Sequence, residues 1–319
     1  MKANLAMRWL RKYRVEILIV ACGLVFINLI FIPKAFRQSD TVSAEAAAQL
    51  GSFVGGYVGS IFLLISVVLL FATLRSQRRM SEMQNFETKY FELIKMHRDN
   101  VAEIQVGKAA GRKLFVLLVR ELRSVLEVVR TVAARSRVTL TQRQALQIAY
   151  YCLFFGVGPN SSRMLTISLS GFDPALINAI EHELNQKDTK LRVRNEKNFG
   201  YIPFEGHQSR LGHYYRHLYQ MIRYVDLQTI DIDKYEFVKT IRAQLSTHEQ
   251  ALLLVNSLTP IGENWWKMDL IVRYKLVQNL PRDFFDRLSE LDLSEFFKPG
   301  YFEWEEVNAD INLGPLVST

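Results

Sequence analysis

The chain of 319 residues contains only two cysteines, Cys22 and Cys152. Two thiols cannot build a disulfide framework or a cysteine-based zinc site, so a small disulfide-rich fold is excluded. A phosphate-binding loop is also missing. The segment Gly156–Arg163 resembles one superficially, but it does not end in Gly-Lys-Ser/Thr and does not follow a strand. We interpret it as a structured turn, and the sequence predicts no cofactor.

Excess positive charge is scarce outside the N-terminus, although the whole chain has a formal net charge of +8. Residues 1–80 hold ten bases and three acids, whereas residues 81–319 hold thirty bases and twenty-nine acids. Two segments of the second part still differ in sign: 107–143 is basic and 281–319 is acidic. The basic segment is compatible with binding nucleic acid or anionic lipid. Because no aromatic residues alternate with its bases, we favour the alternative that the two segments neutralise each other in the fold or are separately solvated faces.

Clusters of metal ligands are few. His207, His213 and His217 lie close together in the sequence, and the last two are one helical turn apart. No glutamate sits between them in the manner of zinc peptidases, and no cysteine is nearby. The sequence therefore predicts no metal site.

Long apolar runs are present at the N-terminus. Residues 17–32 and 50–74 carry no charge, and an apolar run of about 18–25 residues spans a bilayer as a helix. We predict two transmembrane helices, at about 15–33 and 50–74, that form a hairpin in the lipid bilayer. A cleavable signal peptide is the alternative for the first run, but the nearest small-residue cleavage site, around Ser43, lies too far along.

The flanking charges predict the orientation of this hairpin. Five bases precede the first run, and Arg75, Arg78 and Arg79 follow the second, whereas the loop between them has only Lys34 and Arg37. Cytoplasmic flanks of membrane helices are enriched in Lys and Arg. We therefore expect a multi-pass protein of the inner membrane with both termini in the cytoplasm.

Small residues follow one line along the second run. Gly51, Gly55 and Gly59 are spaced by four, a pattern that allows another helix backbone to approach closely. We call these three residues the glycine strip. It predicts packing either between copies in a homo-oligomer or against the first run of the same chain. Asn28, a polar group in lipid, is expected in the same interface.

The remainder of the chain, residues 81–319, reads as a helical cytoplasmic domain with an irregular C-terminal tail from about residue 299. Apolar residues recur at three and four positions, without the alternation typical of strands. We predict an all-α fold with domains at 1–80 and 81–319. The predicted helices are one that continues from the second span through 83–104, one around 114–129, Thr141–Phe155, one starting at Asp173-Pro174, Ser209–Gln228, Asp233–Ser257 and Trp265–Gln278.

One polar stretch of this domain, residues 204–217, is a candidate functional site. On a helix, Arg210, His213 and His217 fall on one stripe, and a cation beside a histidine suits acid–base work on a phosphate. We therefore take these three residues as catalytic candidates. Arg210 to His217 also fits the Arg-x4–6-His spacing of HEPN-type ribonucleases, but Arg242 to His248 matches it too, so the spacing alone is uninformative.

Three neighbours of that stripe are candidate binding residues. Glu205, His207 and Arg216 offer charges and hydrogen-bonding groups close to the catalytic candidates. A structural role is the alternative, in which His217 pairs with a neighbour such as Glu205.

Several segments resemble the family of putative phage abortive infection proteins. The resemblance spans about residues 50–306 in collinear order. Its blocks are Gly51–Gly56, Phe86–Asn100, Gly156–Leu165, Gly206–Tyr219 and Thr240–Ser257. It implies a bacterial anti-phage role for a membrane-anchored helical protein, and it supplies no catalytic residues.

Two hypotheses about function follow. In the first, the protein is no enzyme: the helical domain senses a phage-derived trigger or a defence partner, and the spans assemble to perturb the membrane. In the second, the domain cuts or binds RNA through Arg210 and His217, and the spans only tether it. Nucleic acid is a partner in the second hypothesis alone.

Overall fold

A computed structural model describes residues 22–23, 25, 37–38, 41–42, 44–158, 163–285 and 291–305. It is 72% helix and 2% strand, which confirms the all-α fold class. The chain divides into two compact units, residues 1–81 and 82–319. Most of the predicted first span, including Asn28, lies outside the described residues, so the transmembrane hairpin stays a prediction.

The first unit contains one long apolar helical stretch. A two-residue ladder of β1 (Arg37–Gln38) and β2 (Thr41–Val42) precedes α1 (Ala44–Phe53), and α2 (Gly59–Glu103) continues beyond the unit. The helical stretch Ala48–Glu103 is long and apolar enough to cross a membrane, and its most apolar part is fully exposed. Such a surface is unfavourable in water and therefore supports membrane association.

A π-helical segment, Val54–Val58, separates α1 from α2 and lies within the glycine strip. A π turn holds more residues than an α turn, so positions spaced by four stay closer to one line along the helix. In the described part of the chain, a Cβ added at Gly51 or Gly55 would meet no atom within 4 Å. The strip therefore has room for a partner helix.

The second unit begins with the remainder of α2, which buries one face. Phe86, Tyr90, Ile94, His97 and Val101 are buried at spacings of three and four. The periodicity predicted this face except that it favoured Leu93, which is half-buried, over Ile94. A small ladder of β3 (Gln105–Val106) and β4 (Ala109–Ala110) follows, and its turn requires Gly107, whose φ is +57°.

Most predicted helix starts are confirmed. A capping box of Thr141 and Gln144 opens one helix, and Asp173 accepts a hydrogen bond from the Ala175 N–H at the start of another. The helices in this region are α3 (Arg112–Arg135), α4 (Gln142–Phe155), α5 (Arg163–Ser168), α6 (Pro174–Asn185), α7 (Lys187–Glu196) and α8 (Gln208–Asp226). Helix α3 packs on α4 and α6.

Two predicted helices are wrong in extent. The predicted helix Asp233–Ser257 is two helices, α9 (Lys234–Arg242) and α10 (Thr247–Ser257), because Ser246 caps the second one through a capping box with Glu249. The predicted helix Trp265–Gln278 consists of two short helices and turns. These helices are α11 (Asn264–Lys267) and α12 (Leu270–Arg273), with left-handed residues at Asp269 and Lys275.

The segment after residue 299 is anchored as far as the structure describes it. Tyr301 and Phe302 are buried, and the Tyr301 hydroxyl donates to the Ile271 carbonyl over 2.7 Å. A single helical turn covers residues 303–305, and the remainder of the predicted irregular tail lies outside the described residues. The start of the tail is therefore part of the core of the second unit.

Candidate functional site

Helix α8 packs against several other conspicuous sequence segments of the second unit. The ring of His97, from α2, lies 5.3 Å from that of Tyr214. The Tyr214 hydroxyl donates to Glu249 over 3.1 Å, and the Tyr215 hydroxyl donates to the Leu252 carbonyl over 3.1 Å. Two segments of the family resemblance, from α2 and α10, thus meet on α8.

Two glycines fix the start of α8 against the end of α4. Gly156 and Gly206 have φ values of +79° and +87°, and a Cβ on either would lie 2.6–2.7 Å from backbone atoms of the opposing segment. The His207 N–H donates to the Phe154 carbonyl over 2.9 Å. Only glycine tolerates this backbone conformation and close approach. The crossing brings a third and a fourth segment of the resemblance together.

The buried carboxylate of Glu121 ties the loop before α8 to α3. Its oxygens accept from the Tyr201 hydroxyl at 2.7 Å and from the Phe204 N–H at 2.6 Å, and one lies 3.0 Å from His207 Nε2. Phe204 has a φ of +70°, a strained conformation for a non-glycine residue, which the bond to Glu121 helps to hold. Burial and the Glu121 charge raise the pKa of Tyr201, so its hydroxyl stays a donor.

A pair of stacked imidazoles lies between α2 and α8. The rings of His97 and His217 are 5.9 Å apart and 18° from parallel, and His97 is 1% exposed. Among the described residues, their ring nitrogens have no hydrogen-bond partner. Burial, followed by the charges of His217 and Arg112, lowers the pKa of His97 to about 4. Burial and His213 also lower the pKa of His217, so the pair is neutral near pH 7.

The three catalytic candidates lie on one face of α8, but each of them has different neighbours. Arg210 and His217 are seven residues apart, almost two full turns, so they lie about 10 Å apart along the helix axis. Arg210 Nε donates to the Gln105 carbonyl over 2.9 Å, His213 is exposed, and His217 stacks on the α2 histidine. Arg242, of the second Arg–His match, is buried and donates to two backbone carbonyls just after α12. These contacts favour structural roles for the arginines, and the catalytic assignments stay predictions.

The binding candidates point in different directions. Glu205 forms an ion pair with Lys190 over 2.6 Å, and the His217 ring nitrogens have no hydrogen-bond partner among the described residues, so the Glu205–His217 pair of the structural alternative is not formed. His207 is buried against Glu121, whereas Arg216 is exposed. Of these three residues, Arg216 is the one that lines a cleft on the surface of the second unit.

Sequence reasoning did not identify the buried acids of this region. Glu121 lies within the basic segment 107–143, and Glu249 lies within the predicted helix Asp233–Ser257. A signal was present in each case: Glu121 interrupts the apolar face formed by Leu118 and Leu122, and Glu249 stands three residues after Ser246 as in a capping box.

The cleft has a volume of about 720 Å³ and lies between α8, the end of α4 and the α10–α11 connection. Tyr215, Tyr219 and Trp265 contribute rings to its wall, and Arg216 is the one charged residue among the described residues that line it. This size and mixture of rings with a few polar groups are typical of small-molecule sites. The cleft is therefore a candidate binding site on the second unit.

No group of three or more metal-ligating side chains occurs within the described residues. The Glu121–His207 contact brings together one carboxylate and one imidazole, and the neighbouring donor is the Tyr201 hydroxyl. That arrangement is a hydrogen-bonded anchor for the loop before α8.

Searches among curated proteins and among solved structures found no significant match to this chain. A model of a protein family, described as "Putative phage abortive infection protein", matches residues 206–285. The matched segment begins at Gly206 and includes α8 to α12, hence most of the cleft. This match confirms that the chain carries, over residues 206–285, the pattern of the putative phage abortive infection protein family.

Proposed function

We propose that the protein is a membrane effector of abortive infection, in which the helical body senses infection and the spans assemble to perturb the inner membrane. The family match supports a role in phage abortive infection. The proposed membrane association rests on the helical stretch Ala48–Glu103, whose most apolar portion is fully exposed. An apolar surface of this length needs lipid or another protein to cover it.

Assembly through the glycine strip is supported by its geometry. Gly51 and Gly55 have open space where side chains would be, and the π segment keeps the strip aligned. Helices pack in lipid mainly through close backbone approach at small residues, since lipid tails are as apolar as the helices. A second copy of the same strip offers such a surface. This assembly is the step that links sensing to membrane damage.

Replacing Gly55 with Leu is expected to abolish phage protection and to reduce the size of the oligomer in detergent. The added side chain pushes apart helices packed on the strip, at a cost on the order of 1–3 kcal/mol. Plaque assays and light scattering of the solubilised protein measure the two effects. Ala72→Leu is the matched control, because it adds an apolar side chain to the same helix at roughly 140° from Gly59.

Wild-type oligomer size and full protection in the Gly55→Leu variant would show that the strip is no assembly surface. If Ala72→Leu, on the opposite side of the helix, abolished protection as well, the effect would belong to the span in general. The proposal requires the two variants to differ.

A second candidate function is a membrane-tethered ribonuclease that uses Arg210 and His217, with His213 between them. It is favoured by their position on one face of α8. It is opposed by their contacts, because Arg210 Nε donates to a carbonyl and His217 packs on His97, and none of the described carboxylates bonds His217 to orient it as a base. We therefore rank it second.

Arg210→Lys and His217→Gln separate these functions. A ribonuclease would lose protection by ~10²–10⁴-fold in both variants at normal abundance, because acid–base groups contribute that much to rate. We expect instead that protection follows protein abundance: Arg210→Lys weakens the bond to Gln105 and lowers thermal stability, and any lost protection parallels the lost protein. Immunoblots of membranes and plaque counts from the same cultures provide the comparison. Normal abundance with no protection in both variants would contradict the structural assignment.

A further inference from the structure

The cleft beside α8 combines aromatic and polar chemistry. Its described lining includes the rings of Tyr215, Tyr219 and Trp265 together with Arg216 and several amide and hydroxyl groups. No carboxylate is present among its described lining residues, although the chain contains 32 acids. We infer that this cleft binds a nucleotide, with the base against the rings and a phosphate at Arg216.

Tyr219 is the one ring among the described lining residues that is not buried, and it is held in place by its neighbours. It meets the buried ring of Trp265 edge to face, with ring centroids 5.1 Å apart and planes at 83°. The hydroxyl of Tyr215 is fixed by the Leu252 carbonyl. Rings that are already ordered lose little entropy when a planar group stacks on them. A nucleobase is such a group, and stacking on aromatic side chains is a general way to bind one.

The polar residues of α8 that line the cleft lie along one stripe of the helix. Gln208, Gly212, Arg216 and Gln220 are spaced by four residues, and Ser209 lies beside the first of them. The stripe begins in the first turn of a 19-residue helix, where the backbone dipole favours negative charge.

Arg216 is placed to receive the phosphate. Its side chain is exposed, and no carboxylate pairs with it among the described residues. A guanidinium binds phosphate through two parallel hydrogen bonds, and the described lining residues include no acid that would compensate its charge. The volume of about 720 Å³ falls within the range of sites for ligands of nucleotide size.

In the proposed function, the nucleotide bound in this cleft would be the ligand that the helical domain senses. The binding of the nucleotide does not itself depend on the proposed function. A nucleotide that is bound at α8 contacts the helix on which the α2 and α10 segments converge. Binding is measured on the purified protein, and sensing is measured in infected cells, so the two can fail separately.

The test is titration calorimetry on the full chain in detergent, with ATP, GTP, CTP and UTP, followed by the nucleoside of the tightest binder. We expect saturable binding of at least one triphosphate. Arg216→Gln is expected to weaken it by about tenfold or more while binding of the nucleoside is unchanged, because only the phosphate contact is lost. Tyr219→Leu is expected to weaken triphosphate and nucleoside by a similar factor, since both use the ring.

Arg98→Gln is the matched control, an exposed arginine on α2 that does not line the cleft, and it should leave every affinity unchanged. Failure of all four triphosphates to bind the wild-type protein would overturn the inference. So would equal weakening of triphosphate and nucleoside in Arg216→Gln, or binding of a ten-nucleotide RNA without any binding of the triphosphates. Normal phage protection by an Arg216→Gln protein that has lost its nucleotide affinity would leave the site intact and contradict the sensing role.

Discussion

Replacing Glu121 with Ala is expected to destabilise the second unit by about 3–5 kcal/mol, the largest effect of any single change considered. The Tyr201 hydroxyl, the Phe204 N–H and His207 all meet this buried carboxylate, and each would be left without its acceptor. For a unit of this size, the loss corresponds to a fall in melting temperature of roughly 10 °C. Thermal unfolding of the detergent-solubilised protein measures it.

Tyr201→Phe is the matched comparison, since it removes one of the three donors and leaves Glu121 with the other two. Its expected cost is about 1 kcal/mol, the usual net contribution of one hydrogen bond. Equal melting temperatures for Glu121→Ala and Tyr201→Phe would show that the loop before α8 does not depend on this carboxylate.

Acidification is expected to destabilise the protein through His97, by about 3 kcal/mol between pH 6.5 and pH 4. In the folded state its pKa lies at about 4, because the ring is buried beside His217 and Arg112, whereas the ordinary value is 6.5. Between these two values the unfolded chain binds more protons than the folded chain, so each fall in pH favours unfolding. The stability contributed by a neutral His97 is thus complete above pH 6.5.

Two variants isolate this effect. His97→Phe removes one titrating group and should reduce, without abolishing, the dependence of the melting temperature on pH between 4 and 6.5, because the pKa of His217 is also lowered. His182→Gln changes an exposed histidine on α6 and should leave the dependence as in the wild type. A His97→Phe protein with the wild-type pH profile would place the proton uptake elsewhere.

Local signals in the sequence accounted for much of the fold. Apolar periodicity gave the buried face of α2, and the Thr141 and Asp173 caps gave the starts of α4 and α6. The apolar pattern continues across the break between α9 and α10, so periodicity alone predicts one long helix there. The break is nevertheless encoded by the capping box of Ser246 and Glu249.

The candidate site was less accessible to sequence analysis, since its contacts join distant residues. Glu121 and His207 are 86 positions apart, and no local pattern relates a buried acid to a loop that far along the chain. The stacking of His97 on His217 likewise joins residues that lie far apart in the sequence. The stripe of Arg210, His213 and His217 was found from spacing alone, but spacing could not show that a carbonyl engages the first and a second imidazole packs on the last.

The most direct test of the proposed function is membrane potential recorded in single infected cells, with total RNA integrity followed in the same culture. Cells with the wild-type protein should depolarise while their RNA is still intact, and cells with Gly55→Leu should keep their potential throughout. A stable potential with degraded RNA in wild-type cells would contradict a membrane effector and favour the tethered ribonuclease.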